Sequence, residues 1–295
     1  MRLTPGGFDC LRCFPLSPRH TFARIPGLEP LAEKSVVIFG VGALGSRIAV
    51  GLAASGLRKA HLLDHDAYEP VNGVRHAAGF TFFGLPKVLV VRELMVQANP
   101  FCLPYVTMQT GRAGSLSARE DEILQERIRS ADLIINATAS EHVAHWLGRV
   151  CHRLGRPHVH ATVTNGAWGG DVIRVIPGLD ACWVCQQVAH DPPPTQPRPP
   201  GGFFAPGCAH PTFTGNMAEV GIVADLAMAM AIETMLQVPS RNFQGSHIRW
   251  SARSTTGVWA PTIEVVAPNV RTECPLCSPN PNPSATHSSP TTPSV

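Results

Sequence analysis

Gly40, Gly42 and Gly45, in the run G-V-G-A-L-G-S, stand between an apolar stretch at residues 36–39 and a second one that starts near Leu44. This spacing carries a strand through a glycine loop into a helix, so backbone N–H groups at a helix N-terminus face whatever binds there. The ligand implied is an anion. Taken alone, the glycine pattern signals dinucleotide binding, with a nicotinamide or flavin enzyme as the default reading. Asp64 ends the next apolar stretch, residues 60–63, at about the distance from the glycines at which an acidic residue meets a ribose hydroxyl in such folds. Far downstream, Cys182 and Cys185 (C-W-V-C) and Cys274 and Cys277 (C-P-L-C) supply four thiolates in the spacing of a tetrahedral structural zinc site. Two unrelated redox pairs are the alternative, and Cys10 with Cys13 forms a third pair and a rival ligand source.

Those groups need a frame. From residue 35 to about 163, strand and helix patterns alternate, with helices expected at 44–56, 86–98, 118–129 and 141–154 and strands at 133–137 and 158–163. That alternation predicts an α/β fold, a Rossmann-like parallel sheet with helices on both faces. After Gly170 the pattern changes. Apolar alternation at 171–176, 247–251 and 262–266 predicts antiparallel strands extending the sheet in the C-terminal half, beside a long helix at about 217–237.

Between Asp64 and that frame lies a series that no dinucleotide-reducing pattern explains. It reads D-H-D-A-Y-E-P-V-N-G-V-R-H from Asp64 to His76, then Lys87, then Asn99-Pro100 after a helix. The series resembles the ThiF/MoeB/HesA family, the bacterial relatives of ubiquitin-activating enzymes, and the likeness runs from about Ser35 to Cys277. The resemblance implies a domain that adenylates the C-terminal glycine of a ubiquitin-like or sulfur-carrier protein using ATP and Mg2+. It implies that Gly40, Gly42 and Gly45 cradle ATP, that Asp64 holds the ribose, and that Asn72, Arg75 and Lys87 hold the phosphates. The chemistry agrees, because a carboxylate attacking an α-phosphate brings like charges together and needs cationic side chains nearby. Lys87 is one of only three lysines, with Lys34 and Lys59, in a chain that otherwise uses arginine.

The resemblance extends to the cysteines and to further partners. Both C-x-x-C pairs match the family's Zn2+ ligands in place and form. Cys208 follows a proline-rich segment, D-P-P-P-T-Q-P-R-P-P-G-G, that cannot form regular structure and is expected to be a mobile crossover loop over residues 190–208. A cysteine in this region of the activating enzymes takes the acyl group as a thioester, and His210 stands two residues away to lower its pKa or orient the acyl group. A conjugating enzyme or a sulfur donor would then accept the product. Family members commonly form homodimers in which an N-terminal arginine reaches the neighbour's ATP, with Arg12, Arg19 and Arg24 as candidates. Three positions depart from the family: Val71 and His76 replace a serine and a glutamine, and Ala139 stands where the magnesium-binding aspartate belongs, with Glu141 two residues on. A sulfur-carrier adenylyltransferase that stops at the acyl adenylate, or a non-catalytic binding subunit, are the rival readings. A dehydrogenase comes last, since it needs neither the zinc pairs nor the N-x-x-R and lysine series.

Composition sets the outer bounds. The 295 residues suit one sizeable core, read as an N-terminal arm (1–30), a single adenylating domain (31–277) and a disordered tail (278–295). A net charge of +3 without a basic cluster gives no case for nucleic acid or a membrane surface. Nine cysteines, largely in C-x-x-C pairs, and no apolar N-terminal signal point to a reducing, cytoplasmic setting. Cys102 and Cys151 sit in apolar contexts and are expected in the core.

Overall fold

The computed structural model describes residues 2–4, 7–9, 13–108, 113–189, 191–198, 213–237 and 245–277. Eight strands form its main sheet: β1 (Ser35–Phe39), β2 (Lys59–Asp64), β3 (Leu103–Met108), β4 (Leu133–Asn136), β5 (His158–Val163), β6 (Gly169–Val175), β7 (His247–Arg253) and β8 (Trp259–Val266). Their spatial order is β8-β7-β6-β5-β4-β1-β2-β3. The segment from β3 to β5 is parallel throughout, and β5–β6, β6–β7 and β7–β8 pair antiparallel. The order 3-2-1-4-5 of the parallel part leaves a crevice at the carboxyl ends of β1 and β4, where the winding reverses. Arg2–Thr4 and Gly7–Asp9 pair antiparallel in a separate two-stranded sheet.

Strand periodicity explains why both faces are covered. In β1, Val36 and Ile38 join one buried cluster, while Val37 and Phe39 join the other. On the first face pack α1 (Ala43–Ala54), α2 (Lys87–Ala98) and, later in the chain, α5 (Met217–Leu236). On the second lie α3 (Ala118–Ser130) and α4 (Glu141–Leu154). Each fully buried Leu or Ile contributes about 1.5–3 kcal/mol, so Ile48, Leu52, Ile128 and Leu147 hold these helices down.

The helix ends follow their residues. Ser117 and Glu120 form a reciprocal cap on α3, and Asn216 accepts from the N–H groups of Ala218 and Glu219 at the start of α5; such caps contribute about 1 kcal/mol each. Strand β3 has no counterpart among the expected elements. Pro104 argues against a strand, yet β3 is the sheet's outer edge, where a missing N–H is tolerated. The described part of the proline-rich segment, 191–198, forms no helix or strand. It is nevertheless tied to the β5–β6 connection: Thr164 Oγ1 donates to Pro194 O (2.5 Å), and Gln196 N donates to Asn165 O (2.9 Å). Cys208, His210, Cys10, Arg12 and the tail 278–295 lie outside the described residues.

Candidate nucleotide site

The first turn of α1 starts at Gly42, which has no side chain to cap it, so its leading N–H groups stay available to a ligand. Gly40 turns the chain with φ +80°, and a Cβ there would stand 2.9 Å from Ala137 O. Gly45 is required for a different reason: a Cβ would come 1.9 Å from Gly40 O, so only glycine lets the helix approach its own loop.

Gly40 and Gly42 line a cavity of about 430 Å³ together with Phe39, Leu63, Asp64, His65, Asp66, Lys87, Ala113, Ala137, Thr138, Ala139, Ser140 and Val143. It sits over the carboxyl ends of β1, β2 and β4, at the reversal of strand order. Asp64 accepts Val41 N–H at 2.7 Å and Asp66 N–H at 2.9 Å, which fixes the carboxylate at the cavity wall with lone pairs to spare. Lys87 opens α2, and its Nζ donates to Asp66 Oδ2 at 2.6 Å while only 8 % of the residue is exposed. Burial pushes the Asp66 carboxyl up, but the hydrogen bond and charge of Lys87 and the neighbouring His65 outweigh it, and the net shift is downward. Asp66, present in the quoted D-H-D but given no role there, is the residue sequence reading missed. Its signal was its place two residues after Asp64.

The loop after the glycines is locked from outside. His76 is buried, its Nδ1 accepting Ala78 N–H (3.1 Å) and its Nε2 donating to Val41 O (2.9 Å), which fixes the neutral tautomer. Burial pulls its pKa down to about 4. Ser46 Oγ also accepts Ala77 N–H, at 3.1 Å. The far wall is set by Asn136, whose Oδ1 accepts from Thr138 Oγ1 (2.8 Å) and whose Nδ2 donates to His160 Nδ1 (3.1 Å). Ala139 follows with φ +54°, a left-handed conformation in which Asn and Asp are the commoner side chains.

Not every expected residue meets in this cavity. Asn72 spends its side-chain oxygen on Glu69 N–H (3.0 Å). The Arg75 guanidinium lies 5.7 Å from the Phe213 ring centroid, and Arg75 lines a second cleft with Arg47, Gly51 and Asp225. Neither lines the first cavity, and neither does Glu141 at the start of α4. Arg19 and Arg24 are exposed in the N-terminal segment.

The four cysteines come together as the spacing predicts. Cys182 Sγ lies 3.6 Å from Cys274 Sγ and Cys185 Sγ lies 3.7 Å from Cys277 Sγ, with all four sulfurs within 4.8 Å of one another. A Zn–S bond of about 2.3 Å in a tetrahedron gives sulfur separations of roughly 3.8 Å, so the donor set fits that ion, with no position left for a reacting water. Cys102 and Cys151 are buried, and burial pushes the Cys102 thiol up to about 11.

The model of the ThiF family matches residues 17–276. The chain belongs to the ThiF family. The uncharacterized protein y4oA of Sinorhizobium fredii is 34% identical over 212 residues, covering 67% of this chain and 35% of that protein. A probable molybdopterin-synthase adenylyltransferase of Porphyra purpurea is 27% identical over 142 residues (48% and 35%), and ubiquitin-like modifier-activating enzyme 5 of Caenorhabditis elegans is 25% identical over 164 (53% and 38%). The chain thus spans little more than a third of the length of these relatives. Among solved structures, MccB of E. coli superposes with a TM-score of 0.66 at 17% identity, over 92% of this chain and 76% of that one, and its complex with ATP with 0.62 at 18% (85% and 68%). At that identity the likeness shows the fold. Among the described residues no helix of this ThiF-family chain is long and apolar enough to cross a membrane.

Proposed function

We propose that this chain is an adenylating enzyme that uses ATP to activate the C-terminal carboxylate of a ubiquitin-like protein, a sulfur carrier or a peptide. The observation that carries the reading is the single cavity in which the glycine loop, Asp64 and Lys87 meet at the sheet's switch point. Family membership supports it, as do relatives named adenylyltransferase or modifier-activating enzyme and the MccB structures determined with ATP and with the peptide MccA. In the reaction a carboxylate oxygen attacks the α-phosphorus, the bond to the bridging oxygen breaks, and pyrophosphate leaves behind an acyl adenylate. The α1 N-terminus and Lys87 supply fixed positive potential where that charge gathers. Asp64 accepts from the ribose.

Mg2+, when bound, neutralises phosphate charge; Asp64 and Asp66 offer the hard oxygen donors it takes, whereas Ala139 offers none. Zn2+ in the four-cysteine cluster would tie residues 274–277 to the sheet. Asn72 and Arg75 enter the proposal as phosphate partners, a thioester on Cys208 as its second step and a homodimer as its assembly, all three on the resemblance alone.

The test is ATP–pyrophosphate exchange with candidate carriers that end in glycine and with short peptides. Exchange that depends on one of them supports the reading. A folded, ATP-binding protein that exchanges with none would leave a binding subunit in its place.

A further inference from the structure

Asp66 joins two other groups that line the cavity. Its N–H donates to Asp64 Oδ1 (2.9 Å), its carbonyl accepts Lys87 N–H (3.0 Å), and its carboxylate accepts Lys87 Nζ (2.6 Å). Lys87 carries its charge on a flexible four-carbon stem, and freezing such a side chain costs rotamer entropy. Within this wall Lys87 is almost wholly buried, whereas Asp66 keeps about half of its side chain exposed. Its other oxygen, Oδ1, lies 3.2 Å from His65 Nε2. One ammonium N–H directed to Asp66 leaves two for a ligand.

We infer that Asp66 is a positioning residue that aims the Lys87 ammonium at the phosphates of a bound nucleotide, so that Asp66 sets how strongly the cavity prefers a polyphosphate to a bare nucleoside. The inference rests on the nucleotide reading of the cavity given above. Charge alone would work in the opposite direction. Removing an anion from the wall should strengthen binding of a polyanion, though at physiological salt and half exposure screening weakens that effect. The sign of the change therefore separates aim from charge.

The experiment is calorimetric titration with adenosine and with ATP of the wild type, Asp66→Asn, Lys87→Met and the double variant, with Mg2+ and again in EDTA. The preference for ATP over adenosine should fall about five- to tenfold in Asp66→Asn under both conditions. The same substitution in the Lys87→Met background should change it less than twofold, because Asp66 acts through Lys87. Adenosine affinity within twofold of wild type shows that the cavity is intact.

An unchanged or raised preference in Asp66→Asn overturns the inference, as does an equal fall in the Lys87→Met background. Loss of adenosine binding would mean that Asp66 supports the whole wall, and a fall seen only with Mg2+ would make it a cation ligand; either outcome overturns the positioning role. A wild type that binds neither ligand overturns the nucleotide reading itself.

Discussion

The parallel and antiparallel halves of the sheet use charged and polar side chains in opposite ways. At the carboxyl ends of β1, β2 and β4, Asp64, Asp66 and Lys87 border open space and keep capacity for a ligand. In the antiparallel half, Asp171 on β6 is buried and closed by its neighbours on β7, accepting from His247 Nε2 (2.8 Å) and Arg249 Nε (3.0 Å). Arg174 and Asp180 close on each other in the same way, and the four cysteine sulfurs converge on one another. Residue type alone does not separate a reactive group from a structural one. What separates them is whether the remaining lone pairs and N–H groups face a cavity or other protein atoms.

That contrast predicts unequal failures, the largest in the antiparallel half. Stripping metal from the purified protein with a strong chelator, or replacing Cys274 by Ser, should lower the melting temperature by roughly 10 °C or more. Closed thiolate sites contribute folding free energy directly, and each kcal/mol moves a domain of this size by about 2–4 °C. Metal analysis paired with calorimetry checks this; metal-free protein with an unchanged melting temperature would remove the cluster from the account. Asp171→Ala should cost about 3–5 kcal/mol, since it removes the carboxylate partner of the buried His247 and the part-buried Arg249, while ATP affinity per folded molecule changes less than twofold. Urea unfolding followed by titration separates the two quantities.

Acid should act in the parallel half and at its seam with the antiparallel strands. Burial pulls His76, beside the cavity, and His158, on β5, down to about 4. Both side chains stay neutral in the native protein as the unfolded chain takes up protons below its ordinary histidine pKa of about 6.5. Their stabilisation is present above that value and is lost as pH falls from about 6.5 to 4, by as much as roughly 3 kcal/mol per group. Stability curves of the wild type and His158→Gln over this range should converge as pH falls, and parallel curves would contradict the assignment. The smallest effect on stability belongs to the cavity. Lys87→Ala should lower carrier-dependent pyrophosphate exchange by about a hundredfold, while the melting temperature moves by no more than a few degrees.

How much of this was legible in the sequence follows the range of the interactions. Helix α4 is legible to the residue because its signals are local: Ser140 caps it and Gly155, at φ +64°, ends it. The glycine loop, Asp64 and the two cysteine pairs stand out because their chemistry fixes their spacing, and Lys87 through the resemblance; the structure lines Gly40, Gly42, Asp64 and Lys87 along one cavity and gathers the four sulfurs. The Asp66–Lys87 pair, the Asn136–His160 contact and the Asp171 network were not, since each joins residues 21 or more positions apart that only the tertiary fold brings together. Asn72 and Arg75 show the same limit from the other side. Their order in the motif is plain, but the turn that carries them points Asn72 at Glu69 and stacks Arg75 near Phe213.

On the proposed function, the cavity at the switch point holds ATP by the glycine loop, Asp64 and Lys87. Isothermal titration of the purified chain with ATP and Mg2+ tests it most directly, with Lys87→Ala and Asp171→Ala measured beside the wild type. One saturable site per chain is expected, weakened at least tenfold in Lys87→Ala and unchanged in folded Asp171→Ala. A folded wild type that binds no ATP, or binding that is equal in the wild type and Lys87→Ala, would contradict it.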